Sequence, residues 1–345
     1  MTGRHAVAAL AAAVLTANVT AQSDRTDDFI RGQMNQQGIP GLSVAVVKNG
    51  AIVKQAGYGY ADIAKKITAT PDTVYKIASV SKSVLATGVM TLVQDGKIGL
   101  HDPVGKYLDG APSSWAGITV RHLLSHTSGL IREAPAFDPV KVQSDAEVIK
   151  SAYGTPLRFA PGERYEYGNL NYFALAEIIR EVSGRPWSEY IDAKVLKPAG
   201  MNATFPTNTK ARVGHRAVGY VDNDNPRPAP HWVALRPSGA FLSTVLDLAR
   251  WDAALDADRI VSVATRRDMW TRVKLRDGTD APYGLGWFVS SANGRTRVQH
   301  TGGMPGARAG FVKYLEDRLT IIVLMNLDDV DIDAIVGGLA ALYLS

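Results

Sequence analysis

The sequence predicts an α+β protein. An antiparallel sheet is built from both chain ends and flanked by helices, and a mostly helical domain is inserted between them. Three observations point there. Turn signals of the hairpin type cluster near the two ends, and helical spacing fills the middle. An isolated hairpin is marginal in water, so the terminal hairpins are expected to complete one sheet. The 345 residues, 46% hydrophobic and 21% charged, suffice for a core without staples and exclude a disordered or collagen-like chain.

The elements follow in order. Met1 to His5 carries Arg4 and no acid, Ala6 to Ala17 is small and apolar, and Val19-Thr20-Ala21 offers small residues at a cleavage site. Residues 1–21 are therefore expected to be a secretory signal peptide, which makes the protein exported, either periplasmic or secreted. The apolar run is too short for a transmembrane segment in the mature chain. Asp24 to Gly38 reads as a first helix. Leu42 to Lys48 and Ala51 to Tyr60 read as strands joined by Asn49-Gly50, a strong hairpin signal. Helices are expected over Val80–Gln94, Ala146–Tyr153, Tyr172–Val182, Trp187–Lys194 and Leu246–Leu255, with Gly96, Gly154 and Gly184 as C-caps. Gly286–Ser291 and Thr296–His300 flank Asn293-Gly294, and Gly310–Leu315 and Leu319–Asn326 flank Glu316-Asp317-Arg318. Ile332–Leu344 closes the chain as an apolar helix. The expected units are residues 22–78 with 285–345 as the sheet domain and 79–284 as the helical insertion.

Composition excludes several kinds of chemistry. Without Cys there is no disulfide, iron–sulfur cluster, thiol nucleophile or cysteine zinc site. The net charge of +5 is scattered rather than gathered in runs, so no nucleic-acid partner is expected. His122 and His126 stand four apart as in a metalloprotease helix, but Leu123 occupies the place of that motif's Glu, and no metal site is expected.

Three segments carry candidate chemistry. Ser79-Val80-Ser81-Lys82 opens a predicted helix. Ser79 there reads as an ordinary N-cap or as something less usual. A capping box wants Glu or Gln three residues on, whereas Lys82 puts a cation where the helix dipole is already positive. Three residues apart on a helix share a face, and a desolvated Lys in a positive field loses its proton readily. A neutral amine beside a hydroxyl is a base beside a nucleophile. Tyr167-Gly168-Asn169 reads as turn chemistry or as a phenol and an amide placed for proton relay and orientation. His300-Thr301-Gly302-Gly303 reads as a strand end, or as a strand bordering a pocket with Gly302 letting a substrate backbone approach. The chain has no Gly-x-Ser-x-Gly pentapeptide of the kind that Ser-His-Asp hydrolases carry.

In this order, these segments resemble the serine β-lactamases and penicillin-binding proteins, and in particular the group of class C β-lactamases, DD-carboxypeptidases and β-lactamase-fold esterases. The resemblance extends to Lys76–Lys82, His122–Gly129, Tyr165–Asn169, Lys197–Met201, Ser238–Thr244, Tyr283–Trp287 and Gly302–Gly306. It implies Ser79 as nucleophile, Lys82 and Tyr167 as the proton-transfer pair, and the backbone N–H groups of Ser79 and Gly303 as oxyanion donors. Asn169, His300 and Gly302 then bind substrate, with Asn169 also orienting the amine. It further implies a hydrolase of ester or amide bonds that needs no metal or cofactor and takes a small-molecule or peptide substrate. The expected activity is that of a carboxylesterase or D-Ala-type peptidase with weak β-lactam reactivity. The alternatives are a true β-lactamase and a catalytically silent scaffold of the same fold. His300 stands where many class C enzymes have Lys, so it is expected to face the substrate's carboxylate side without a fixed charge.

Overall fold

A computed structural model describes residues 25–209, 214–232, 236–292 and 294–344. The expected leader and Asn293 of the second hairpin lie outside the described residues. The sheet has seven antiparallel strands. Across it run Ile67–Thr68, Ala51–Asp62, Gly41–Lys48, Leu319–Met325, Ala307–Tyr314, Arg295–Met304 and Phe288–Ala292. The two chain ends meet at its centre, where Gly41–Lys48 pairs with Leu319–Met325 and Val44 stands opposite Val323. Asn49 and Gly50 both have positive φ, as a two-residue hairpin turn matching the strand twist demands.

The two central strands are buried on both faces, and their side chains alternate between two cores. Val44, Val46, Ile321, Val323 and Met325 pack with Ile30 and Met34 of the helix over residues 25–37, and with Ile335 and Leu339 of Ile332–Tyr343. Ala45, Val47, Ile322 and Leu324 face the other way and join Val84, Leu85, Leu248 and Trp251. That second core is continuous from the sheet through the helical insertion, so the expected division at Ser79 and residue 284 marks chain topology rather than two separate cores.

The helices Val80–Gln94, Leu170–Ser183 and Val245–Asp256 lie within two residues of their expected bounds. Gly184 caps its helix in the left-handed conformation, and Gly96 has positive φ one residue past a cap at Asp95. Gly154 is not a cap. The helix Asp145–Lys150 is closed by Ser151, and residues 151–154 are turn, because composition marked the helix end less sharply than its hydrogen bonds do. The expected helix Trp187–Lys194 is α-helical to Ile191 and widens into a π turn over Asp192–Leu196. No helix among the described residues is long and apolar enough to cross a membrane.

Candidate active site

Ser79 sits at the tip of a strained turn. Ala78 has φ of 45°, a left-handed conformation that costs a non-glycine residue about 1–2 kcal/mol. The turn is held from both sides. Ile77 N–H donates to the Phe241 carbonyl at 3.0 Å, and Gly302 packs so closely above that an added Cβ would lie 2.5 Å from the Ile77 carbonyl and 2.8 Å from Ser79 N. The missing side chain of Gly302 thus lets the protein's own backbone at Ile77 and Ser79 approach closely. Ser79 itself is helical (φ −66°, ψ −11°) and its hydroxyl makes no capping hydrogen bond, so the ordinary reading of an N-cap fails. The Ser79 N–H has no carbonyl partner among the described residues.

Lys82 lies one turn on, fully buried. Its amine is 3.1 Å from Ser79 Oγ and donates to the Ser238 carbonyl at 2.9 Å. Among the described residues it has no ion-pair partner. Burial holds its ammonium well below the usual lysine range; Arg236 and Arg132 push the same way, and Glu133 opposes them. An amine shifted that way gives up its own proton more readily and is better placed to take one from the hydroxyl beside it. Ser81, between the two, faces away and its Oγ accepts from Phe241 N–H at 3.1 Å.

Tyr167 closes the third side. Its ring lies 4.8 Å from Lys82 Nζ and stacks on Phe288 at 6.1 Å, and it lines the same cleft as Ser79. The sequence suggested a phenol that loses its proton more easily beside a cation. Burial instead pushes Tyr167 above its ordinary value, against the pull of Ser79 and of Arg132 and Arg236. A phenol that burial keeps protonated and an amine that burial makes a weaker holder of its proton then flank one hydroxyl.

The loop carrying Tyr167 is pinned by a residue whose role the sequence hid. His126, left-handed at φ 59°, accepts Glu166 N–H on its carbonyl at 2.9 Å. Its Nδ1 accepts Gly168 N–H at 3.2 Å. It stands beyond the end of the helix Val120–Leu124, while His122 Nδ1 accepts Thr119 N–H in a capping box, so the pair does not share a helical face. Among the described residues no group of three or more ligating side chains is placed to hold a metal ion.

Two expected substrate contacts lie differently. The His300 side chain is 1% exposed and turned inward. Nδ1 bonds with the Thr301 carbonyl at 2.7 Å and Nε2 with the Tyr283 hydroxyl at 2.9 Å. It cannot face a substrate carboxylate from there, because strand alternation points it into the aromatic layer behind Tyr167. Burial, then repulsion from Lys82, lowers its pKa to about 3. Asn169 borders the cleft, but its amide donates to Glu133 Oε1 and makes no hydrogen bond to the Lys82 amine.

The cleft, about 230 Å³, is lined by Ser79, Tyr167, Asn169 and Gly303 together with Arg132, Glu133 and Arg236. Sequence reasoning missed these last three. They fall in irregular segments without a motif of their own, and their only signal was two adjacent charges just after His122–Gly129. A larger groove, bordered by Arg266, Arg267 and Trp270, lies apart from Ser79 and holds none of this chemistry.

A serine, a buried lysine and a tyrosine meeting between the sheet and the helices define a β-lactamase/transpeptidase-fold protein of the serine hydrolase kind. The Beta-lactamase family model matches residues 26–342, and the chain belongs to that family. It is 30% identical over 309 residues to penicillin-binding protein 4* of Bacillus subtilis (strain 168), covering 83% of this chain and 68% of that protein. It spans 62% of protein flp of Staphylococcus aureus, at 29% identity over 88% of this chain. Among solved structures, the octameric penicillin-binding protein homologue from Pyrococcus abyssi superposes with a TM-score of 0.79 at 31% identity, over 93% of this chain and 76% of that one. D-amino acid amidase from Ochrobactrum anthropi SV3 shares the fold, with a TM-score of 0.77 at 23% identity over 92% and 96% of the two chains.

Proposed function

We propose that the protein is an exported hydrolase that cleaves esters or amides through an acyl-enzyme on Ser79. The observation that carries the reading is the buried Lys82 amine 3.1 Å from Ser79 Oγ. Lys82 takes the hydroxyl proton as Oγ attacks the carbonyl carbon. The oxyanion is met by the N–H groups of Ser79 and Gly303. The C–O or C–N bond then breaks, and Tyr167 passes a proton to the departing alcohol or amine. Water, deprotonated by the same pair, adds to the acyl-enzyme and releases the acid.

We assign small carboxylic esters or D-amino-acid peptides as substrates, with β-lactams acylating slowly. The third motif presents no cation to a carboxylate, since His300 is buried and neutral. The amidase among the fold relatives supports the D-amino-acid side of this choice. The deciding experiment is covalent labelling with a fluorescent penicillin and a fluorophosphonate, followed by a side-by-side profile of p-nitrophenyl esters, a D-Ala-D-Ala peptide and a chromogenic cephalosporin. Failure of wild type to label with either probe leaves the silent scaffold; a cephalosporin turned over faster than the esters makes it a true β-lactamase.

A further inference from the structure

Arg236 lines the cleft and belongs to none of the motifs read above. Its Nε donates to Ser238 Oγ at 2.9 Å, and the Ser238 carbonyl is the acceptor for Lys82 Nζ. Its Nη2 pairs with Glu133 Oε1, the same oxygen that takes the Asn169 amide. Phe137 and Trp232 lie against the guanidinium at 4.8 and 6.0 Å and leave the side chain mostly buried. One planar cation thus ties together the segments carrying Glu133, Asn169 and Ser238. We propose that Arg236 is a positioning residue for the Ser79–Lys82 pair. Its fork clamps the loop whose carbonyl holds the Lys82 amine, and its charge faces that amine. The inference rests on the proposed base role of Lys82.

The groups around Lys82 decide the sign of the effect. Tyr167 and Tyr172 face it as protonated phenols, both pushed up by burial. His126 and His300 are kept neutral by burial and by Lys82 itself. The charged groups acting on it are Arg236, Glu133 and Arg132, and after burial Arg236 comes first. Removing Arg236 therefore favours the ammonium twice: one repelling charge is lost, and Glu133 loses its partner. Removing the Glu133 charge favours the free amine. A residue with a purely structural role has no such paired, opposite signature.

The test measures kcat/KM for p-nitrophenyl acetate and the rate of fluorophosphonate inactivation across pH. It uses wild type, Arg236→Met, Arg236→Lys and Glu133→Gln, each normalised to active sites titrated by the label. Arg236→Met should move the acid limb up by about one pH unit, a roughly tenfold loss below the limb that recovers at high pH. Arg236→Lys keeps the charge but not the fork. It should leave the limb in place and lower kcat more than it changes KM. Glu133→Gln should move the limb the opposite way, to lower pH. The proposal is overturned by an Arg236→Met profile that falls equally at all pH, or by Glu133→Gln shifting in the same direction as Arg236→Met. If Ser79→Ala keeps the label, the reading of the pair falls and this one with it. If Ser79→Ala loses the label and no limb moves, only the role of Arg236 falls.

Discussion

Among the described residues two lysines are buried, Lys82 and Lys313, and they are opposites. Lys313, 5% exposed on the strand Ala307–Tyr314, sits 2.9 Å from Asp252 Oδ1 and 2.8 Å from Asp256 Oδ2. Thr320 donates to the other oxygen of Asp252 at 3.0 Å. The cluster fastens the helix Val245–Asp256 to the sheet. Lys82 is buried as completely and meets a hydroxyl, a carbonyl and two aromatic rings instead. Burial makes a bare ammonium too costly to keep, and only the partner decides the remedy. Two carboxylates pair with the Lys313 amine, whereas among the described residues none pairs with Lys82, and burial pushes its pKa down. The first lysine is a structural clip and the second has the properties of a base.

The sharpest way to break this contrast is at the hydroxyl that Lys82 serves. Ser79→Ala should abolish covalent labelling and lower turnover by several orders of magnitude, since no other hydroxyl shares the Lys82 amine. Ser81→Ala, which loses only the bond from Phe241 N–H, should keep its label. Labelling retained in the first and lost in the second would reverse the assignment.

Exchanging each lysine for Met separates the two roles. Lys82→Met should be inactive at unchanged or raised Tm, because no charge is left unpaired. Lys313→Met strands two acids and should lose about 3–5 kcal/mol, read by denaturant unfolding, while its folded fraction still labels. Arg is also diagnostic. It cannot act as a base, so Lys82→Arg should be nearly as damaging as Lys82→Met, whereas Lys313→Arg should keep much of the stability. Equal Tm losses at the two positions would erase the distinction.

Tyr167→Phe removes one oxygen beside Lys82. It should cost about a hundredfold or more in kcat if the phenol carries a proton in the reaction. Near-normal turnover would return Tyr167-Gly168-Asn169 to ordinary turn chemistry.

His300→Lys tests the layer behind the cleft. The new ammonium would be buried against Tyr283 and near Lys82, so kcat/KM should fall about tenfold or more for a neutral ester and a carboxylate-bearing substrate alike. A gain confined to the carboxylate substrate would mean that the side chain reaches the cleft.

The smallest effect is on acid stability. Burial lowers His300 from 6.5 to about 3 and His122 to about 4. These rings bind protons in the unfolded chain before they do in the folded one, so their contribution is complete above the unfolded value and fades as pH falls towards the folded one. Tm should therefore decline between about pH 6.5 and about 3, and His300→Gln should make that decline shallower. An unchanged slope would remove His300 from the account.

Much of this molecule is written locally. The hairpin at Asn49-Gly50, the helix Val80–Gln94 and the three-residue spacing of Ser79 and Lys82 depend on neighbours in the chain, where backbone conformation and helical geometry act. The pairing of the two chain ends followed from the poor stability of lone hairpins. Other features were invisible because they are sums over distant segments. His300 reads as a pocket residue until the sheet's alternation turns it inward against Tyr283, 17 residues away. Gly302 also leaves room for the turn at Ala78, a contact that its place in the sequence does not show. Arg236 and Glu133 stand 103 positions apart and carry no motif, yet they meet beside Ser79. Residue types and short spacings determined which chemistry was available, a serine with a lysine one helical turn on. Tertiary structure alone decided that the lysine is buried and, among the described residues, without an ion-pair partner, because burial and electrostatic fields depend on everything packed around a group.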